Sequence, residues 1–243
     1  MNKILYLLIL LLTLSSCLSK RETGVTIEGE FSNADNQKLS LGALGINEIR
    51  PIDSAILRNN GAFEFEIPDP DTGFLVLQGA GRKYLILVTE GTAEIRLSGD
   101  LSQFPDRITI EGSPESRDLQ RFFENSNKNA RKADSIMKVL RQHVDSVDYI
   151  AVNLKTDSLL NRIWLDQKDL GMQYIAAHPG GLSSLIVINY TFGVQAVISI
   201  HESLDIYKNL SDSLKARYPL NEHVVHFAKT VDNYKPGSIK LAP

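Results

Sequence analysis

Cysteine is almost missing from the chain: Cys17 is the only one in 243 residues. A disulfide within the chain is therefore excluded, and so is a Cys-x-x-Cys redox pair. A basic excess is missing as well. With 26 Lys+Arg against 29 Asp+Glu the formal net charge is −3, which argues against a nucleic-acid partner. The one long apolar run, Ile4 to Leu14, would rise only about 16 Å as a helix, roughly half the hydrocarbon thickness of a bilayer, too short for a permanent span. Catalytic signatures are scarce too. The chain has no Gly-x-Ser-x-Gly elbow, Walker loop or His-Glu-x-x-His, and no cofactor is expected from any motif. What is present, 43% hydrophobic and 23% charged residues, suffices for one large core or two smaller ones without staples.

The start of the chain reads as an address. Met1-Asn2-Lys3 is a short basic opening, and the apolar run that follows has the length of a signal-peptide core. Leu14-Ser15-Ser16-Cys17 is similar to a bacterial lipobox. The expectation is a signal peptide over 1–16, lipidation at Cys17 and a tether over 17–23, giving a membrane partner through the lipid anchor. Leu18, rather than Asp, after the cysteine favours the outer membrane of a Gram-negative envelope, facing the periplasm.

Beyond the tether the hydrophobic period changes once. From Gly24 to Gly112 short runs rich in β-branched and aromatic residues alternate, each closed by Gly, Asn, Asp or Pro. They predict eight strands: Val25–Phe31, Lys38–Leu44, Ile49–Leu57, Ala62–Ile67, Gly73–Gln78, Tyr84–Thr89, Thr92–Ser98 and Arg107–Glu111. Asn59-Asn60-Gly61 and Glu90-Gly91 read as hairpin-type turns. The fold class expected is α+β, an antiparallel β-sandwich or barrel over 24–112 followed by a helical domain over 113–233.

The helical period begins at Ser113-Pro114-Glu115, with Ser113 as N-cap and Pro114 at the first helical position. Leu119, Phe122, Phe123, Ala130, Ala133, Met137, Leu140, Val144 and Val147 form one apolar stripe on a long helix. A second helix is predicted from about Asp157 to Ala177, stopped by His178-Pro179-Gly180-Gly181. Leu182 to Tyr190 reads as a short one, Ser199-Ile200-His201-Glu202 matches a capping box opening another, and a last runs from Asn221 to Val231. The charge shifts at the same boundary.

Few residues form a candidate site. His223 and His226, three apart on a helix, are weak metal-ligand candidates, because that spacing needs further ligands from elsewhere. His178 fits a helix end better than a catalytic base. Gly79-Ala80-Gly81 reads as a hairpin turn rather than a nucleotide loop, and Asp69-Pro70-Asp71 as a solvated connector rather than a calcium loop. Phe63, Phe65, Phe74 and Tyr84 alternate in strands, and core packing explains most of them better than a glycan platform does.

A lipobox, a β-rich module, Glu111-Gly112-Ser113-Pro114-Glu115 opening a long helix, and Tyr174 to Ser184 as a helix, break and short helix together resemble a known arrangement. It is the N-terminal domain of unknown function that precedes the redox domain in envelope lipoproteins of the TlpA/ResA-like thiol:disulfide oxidoreductase class. Residues 234–243, Tyr234-Lys235-Pro236-Gly237-Ser238-Ile239-Lys240-Leu241-Ala242-Pro243, resemble a linker and the start of the thioredoxin-like domain. The resemblance implies a non-catalytic accessory or docking module, with a thioredoxin-like domain or protein as partner. Full-length members of the class would be the oxidoreductases. The alternative is a free-standing periplasmic lipoprotein that binds a glycan or peptide, and a third reading is a metal-dependent hydrolase built on His223 and His226.

Overall fold

The computed structural model describes residues 24–236, apart from 59, 69–71, 80, 82, 91 and 92 and the side chain of Ala93. The leader, Cys17, the tether, the Asp69-Pro70-Asp71 connector and the end of the 234–243 linker lie outside the described residues. The fold is α+β, with two four-stranded sheets followed by helices. The sheets stack as a sandwich and do not close, so the barrel alternative is set aside.

The eight predicted strands are all present: β1 Gly24–Ser32, β2 Lys38–Leu44, β3 Ile49–Ile56, β4 Ala62–Pro68, β5 Gly73–Gln78, β6 Tyr84–Thr89, β7 Ala93–Asp100 and β8 Thr109–Glu111. One sheet has the order β4-β1-β7-β8 and the other β3-β2-β5-β6. The expectation of a wholly antiparallel sandwich needs correction, because β1 runs parallel to β7. Two predicted hairpins are corrected as well. Strands β3 and β4 belong to different sheets, as do β6 and β7, so neither pair is a hairpin. Gly61 does take the positive φ of 66° that its position promised, but turn chemistry is local and the pairing partner is not.

Alternation decides which faces are buried. In β4, Phe63, Phe65 and Ile67 point into the sandwich while Glu64 and Glu66 face out. The strands β5 and β6 depart from alternation: Leu75, Leu77, Leu85 and Leu87 join the core between the sheets, whereas Phe74, Ile86 and Val88 belong to a second core with the helices. A strand buried on both faces reads as a continuous apolar run, and these two do. The molecule thus has three layers, sheet, sheet and helices.

Among the described residues five α-helices make the third layer and its extension: α1 Pro114–Gln142, α2 Tyr149–Ala177, α3 Ser183–Ile188, α4 Leu204–Arg217 and α5 Glu222–Asn233. The start of α1 also seals a sheet edge. Ser113 Oγ caps the Ser116 N–H at 3.3 Å and donates to the Val88 carbonyl at 3.0 Å, while Ser116 Oγ accepts from the Val88 N–H at 2.8 Å. Both outward backbone groups of Val88 on edge strand β6 are satisfied, and Leu119 and Phe122 follow into the second core. Tyr207 on α4 ties the far side, its hydroxyl shared between the Ile198 carbonyl at 2.9 Å and the Ile188 carbonyl at 3.2 Å.

Three helical expectations are revised. The long stripe does not continue through Val144 and Val147, since α1 ends at Gln142 and His143 to Asp148 turn the chain, the Ser146 hydroxyl bonding the Asp148 carboxylate. The second helix starts at Tyr149, eight residues before the predicted Asp157. Ser199 to Glu202 is a turn, closed by the Glu202 N–H on the Ser199 carbonyl at 3.1 Å; α4 begins only after Ser203. A two-residue hairpin, β9 Thr191–Phe192 with β10 Gln195–Ala196, was not anticipated.

Candidate functional site: a cleft between sheet and helices

The helices cover β5 and β6 but leave the same face of β2 and β3 open. Strand β3 is exposed at every position except Ala55, and Pro51 sits within it, a residue tolerated in strands at edges because it cannot donate to a ladder. Opposite this open face stands the turn between α4 and α5. The two enclose a cleft of about 620 Å³, walled by Ile52, Phe74, Leu75, Tyr218, Leu220 and His223, with Arg50 and Glu222 at one side.

Local chemistry explains the turn. Pro219 cannot continue α4, and Asn221 caps α5, its Oδ1 accepting from the His223 N–H at 3.0 Å and the Val224 N–H at 3.1 Å. The Asn221 amide also donates to the Thr72 carbonyl, so one side chain starts the helix and ties it to the sandwich. His223 Nε2 donates to the Leu44 carbonyl at 2.8 Å, and its ring stands edge-on to Phe74 with centroids 5.1 Å apart. Arg50 pairs with Glu222 at 3.1 Å across the mouth.

A second set of contacts fixes the other end. Arg217 Nη2 reaches both oxygens of Glu90, at 3.1 and 3.2 Å, and lies over the Tyr218 ring, whose hydroxyl bonds the same carboxylate. Burial, reinforced by that carboxylate, raises the Tyr218 pKa, so the phenol stays neutral and serves as a donor. With its polar groups bound to one another, the cleft presents apolar surface at its rim. Leu220 is 93% exposed and Ile52 39%.

The predicted site residues are placed as follows. His223 lines the cleft with one ring nitrogen committed to a carbonyl, while His226, one turn on, is exposed on the outer side of α5. Among the described residues no group of three His, Cys, Asp or Glu side chains could hold a metal ion. His178 ends α2 as expected, Nδ1 at 2.9 Å from the Tyr174 carbonyl, and adds a contact of 3.2 Å to Asp118. Phe63, Phe65 and Phe74 are buried, which removes three of the four rings from a glycan platform; Tyr84 is 56% exposed. The residues Arg50, Tyr218 and Leu220 were not anticipated. The available signal was Leu220, an apolar residue between Pro219 and Asn221 in a turn that its own core does not require.

A second concavity, about 660 Å³, lies on the outer face of the other sheet and is lined by Glu28, Glu30, Glu64, Glu111 and Arg96. Arg96 holds Glu28 at 2.6 Å and also bonds Glu94; its hydrogen bond lowers the Glu28 pKa, as a solvated, charged sheet face requires. The cleft differs from this face in standing between two layers, with walls from both the sheet and the α4–α5 turn.

Residues 25–119 match DUF4369, a domain of unknown function. The matched stretch is the sandwich plus the first turns of α1, which ends where Leu119 enters the second core. The sealing of β6 by Ser113 and Ser116 gives a physical reason for those turns to belong with the strands. No curated protein matches the chain.

Proposed function

We propose that this chain is a non-catalytic docking module of an outer-membrane lipoprotein, anchored through Cys17 and facing the periplasm, whose partner is a thioredoxin-like redox domain or protein. The observation that carries the reading is the cleft rim, where Ile52 and Leu220 stand exposed on either side of an opening whose polar groups are already paired. Such a surface offers burial to a protein without offering a nucleophile or a base. An exposed leucine buried on docking contributes about 2 kcal/mol, and the preformed Arg50–Glu222 and Arg217–Glu90 pairs keep the walls fixed beforehand. Anchoring both partners at one membrane raises their effective concentration.

The test is affinity isolation of the full chain from its native membranes in mild detergent, wild type beside Leu220→Asp. A thioredoxin-like protein retained by the wild type and lost with Leu220→Asp is the expected result. Equal recovery from both chains contradicts the docking site.

The second reading, a periplasmic lipoprotein that binds a glycan or peptide, draws on the cleft volume, which lies within the roughly 300–1,000 Å³ of small-ligand sites. It predicts a ligand bound without any protein partner and weakened by Ile52→Asp, a change at an exposed wall of the cleft.

A further inference from the structure

The helices α1 and α2 extend far past the body. The last buried residue of α1 is Ser126, so its remaining turns to Gln142 project about 24 Å. Over residues 127–162 only Thr156 is buried. A polar clamp marks the base of this hairpin, Gln167 donating to Ser126 Oγ at 2.8 Å and accepting from Asn129 at 3.1 Å.

Two properties of the projection stand apart from the rest of the surface. Its tip is apolar: Val147 is fully exposed, and Val139, Val144, Ile150 and Leu154 are 47, 56, 74 and 65% exposed. Its shaft is cationic. The outer half of α1 carries Lys128, Arg131, Lys132, Lys138 and Arg141 against Asp134, and the outer half of α2 adds Lys155 and Arg162 against Asp157. All seven cations are exposed, and none takes part in an ion pair among the described residues. Asp145 and Asp148 in the tip loop offset part of this charge and leave 127–162 at +3 in a chain of net −3.

We propose that the hairpin is a membrane-contact arm, its apolar tip entering the interface of an anionic phospholipid bilayer and its cations lying along the headgroups. Charge selects this occupant. An apolar tip alone would suit any greasy surface, but an unpaired cationic shaft behind it matches a plane of phosphates, which attracts each Lys or Arg near it and rewards shallow apolar insertion. The arm would then set the angle at which the body stands on its membrane. The inference does not depend on the cleft or on what docks there.

The experiment places an environment-sensitive fluorophore at Val147→Cys in the full chain carrying Cys17→Ser, reconstituted into vesicles of phosphatidylcholine alone or with about one-third phosphatidylglycerol. The arm predicts a blue-shifted emission, about twofold brighter, in the anionic vesicles only, reversed by Lys138→Glu with Arg141→Glu and weakened by salt. Emission typical of water in both vesicle types overturns the proposal. A blue shift that is equal in both lipids also overturns it, because the cations then select nothing, and so does one that grows with protein density, because the tip is then covered by protein. Unchanged circular dichroism in the charge variants shows that the arm is still folded. Co-isolation at the cleft is a separate readout, so either idea can fail alone.

Discussion

The three-layer body and the hairpin beyond Ser126 are built from similar residue types and end in opposite states. In the body, β5 and β6 bury both faces, and Leu77, Leu87, Leu119 and Leu182 reach zero exposure. In the hairpin Val144, Val147, Ile150 and Leu154 sit in water, although the same three- and four-residue spacing leads into them. Periodicity shows which residues could share a face, while burial requires something to cover that face. The helices cover β5 and β6 of the sheet β3-β2-β5-β6; the hairpin has two helices and, among the described residues, nothing packed beyond them. The body accounts for stability, and the uncovered surfaces at the cleft rim and the hairpin tip are where contact with other molecules is available.

The largest expected contrast is between two leucines. Leu119→Ala should cost about 2–5 kcal/mol through the cavity it leaves, whereas Leu154→Ala should change stability by about 0.5 kcal/mol or less. Urea denaturation of both variants checks this, and a similar cost for the two would mean that the hairpin is covered in solution. A smaller effect is expected at the seal between α1 and β6. Ser116→Ala leaves the Val88 N–H without its acceptor and should cost about 1–3 kcal/mol, read as a lower urea midpoint. The smallest at neutral pH appears only in alkali. Burial pushes the Tyr207 hydroxyl pKa up to about 12, above the value of about 10 in an unfolded chain. Stability from keeping that phenol neutral is complete below about pH 10 and is lost as the pH rises through 12, because the unfolded chain ionises first. Melting temperature against pH should therefore fall less steeply above pH 10 in Tyr207→Phe than in the wild type, even though the variant starts lower for want of the hydroxyl shared between two carbonyls.

Much of the fold was legible because its determinants are local. Strands β2, β5 and β6 fall at their predicted limits, since each is bounded by a glycine, proline or polar turn, and α1 starts where Ser113 and Pro114 place it. Sheet assignment was not legible. Asn60-Gly61 has hairpin chemistry, yet β3 and β4 join different sheets, and the parallel pairing of β1 with β7 links residues almost seventy positions apart. Helix ends inside the hairpin were missed for a related reason: Val144 and Val147 keep the period, but no core holds the last turns in place. At the cleft, His223 was found by its type, but the group it binds was not. Its partner is the Leu44 carbonyl, 179 residues away, and only the fold brings the two together. Leu220 needed the reverse reading, in which an apolar residue in a turn counts as surface rather than as an exception.

The most direct test of the docking claim puts a photo-activated crosslinker at Leu220 on the cleft rim and, in a second chain, at Glu64 on the acidic sheet face, both in native membranes. The cleft account predicts that Leu220 yields one discrete adduct containing a thioredoxin-like protein and that Glu64 yields none. Equal capture at the two positions, or an adduct at Glu64 alone, would contradict it.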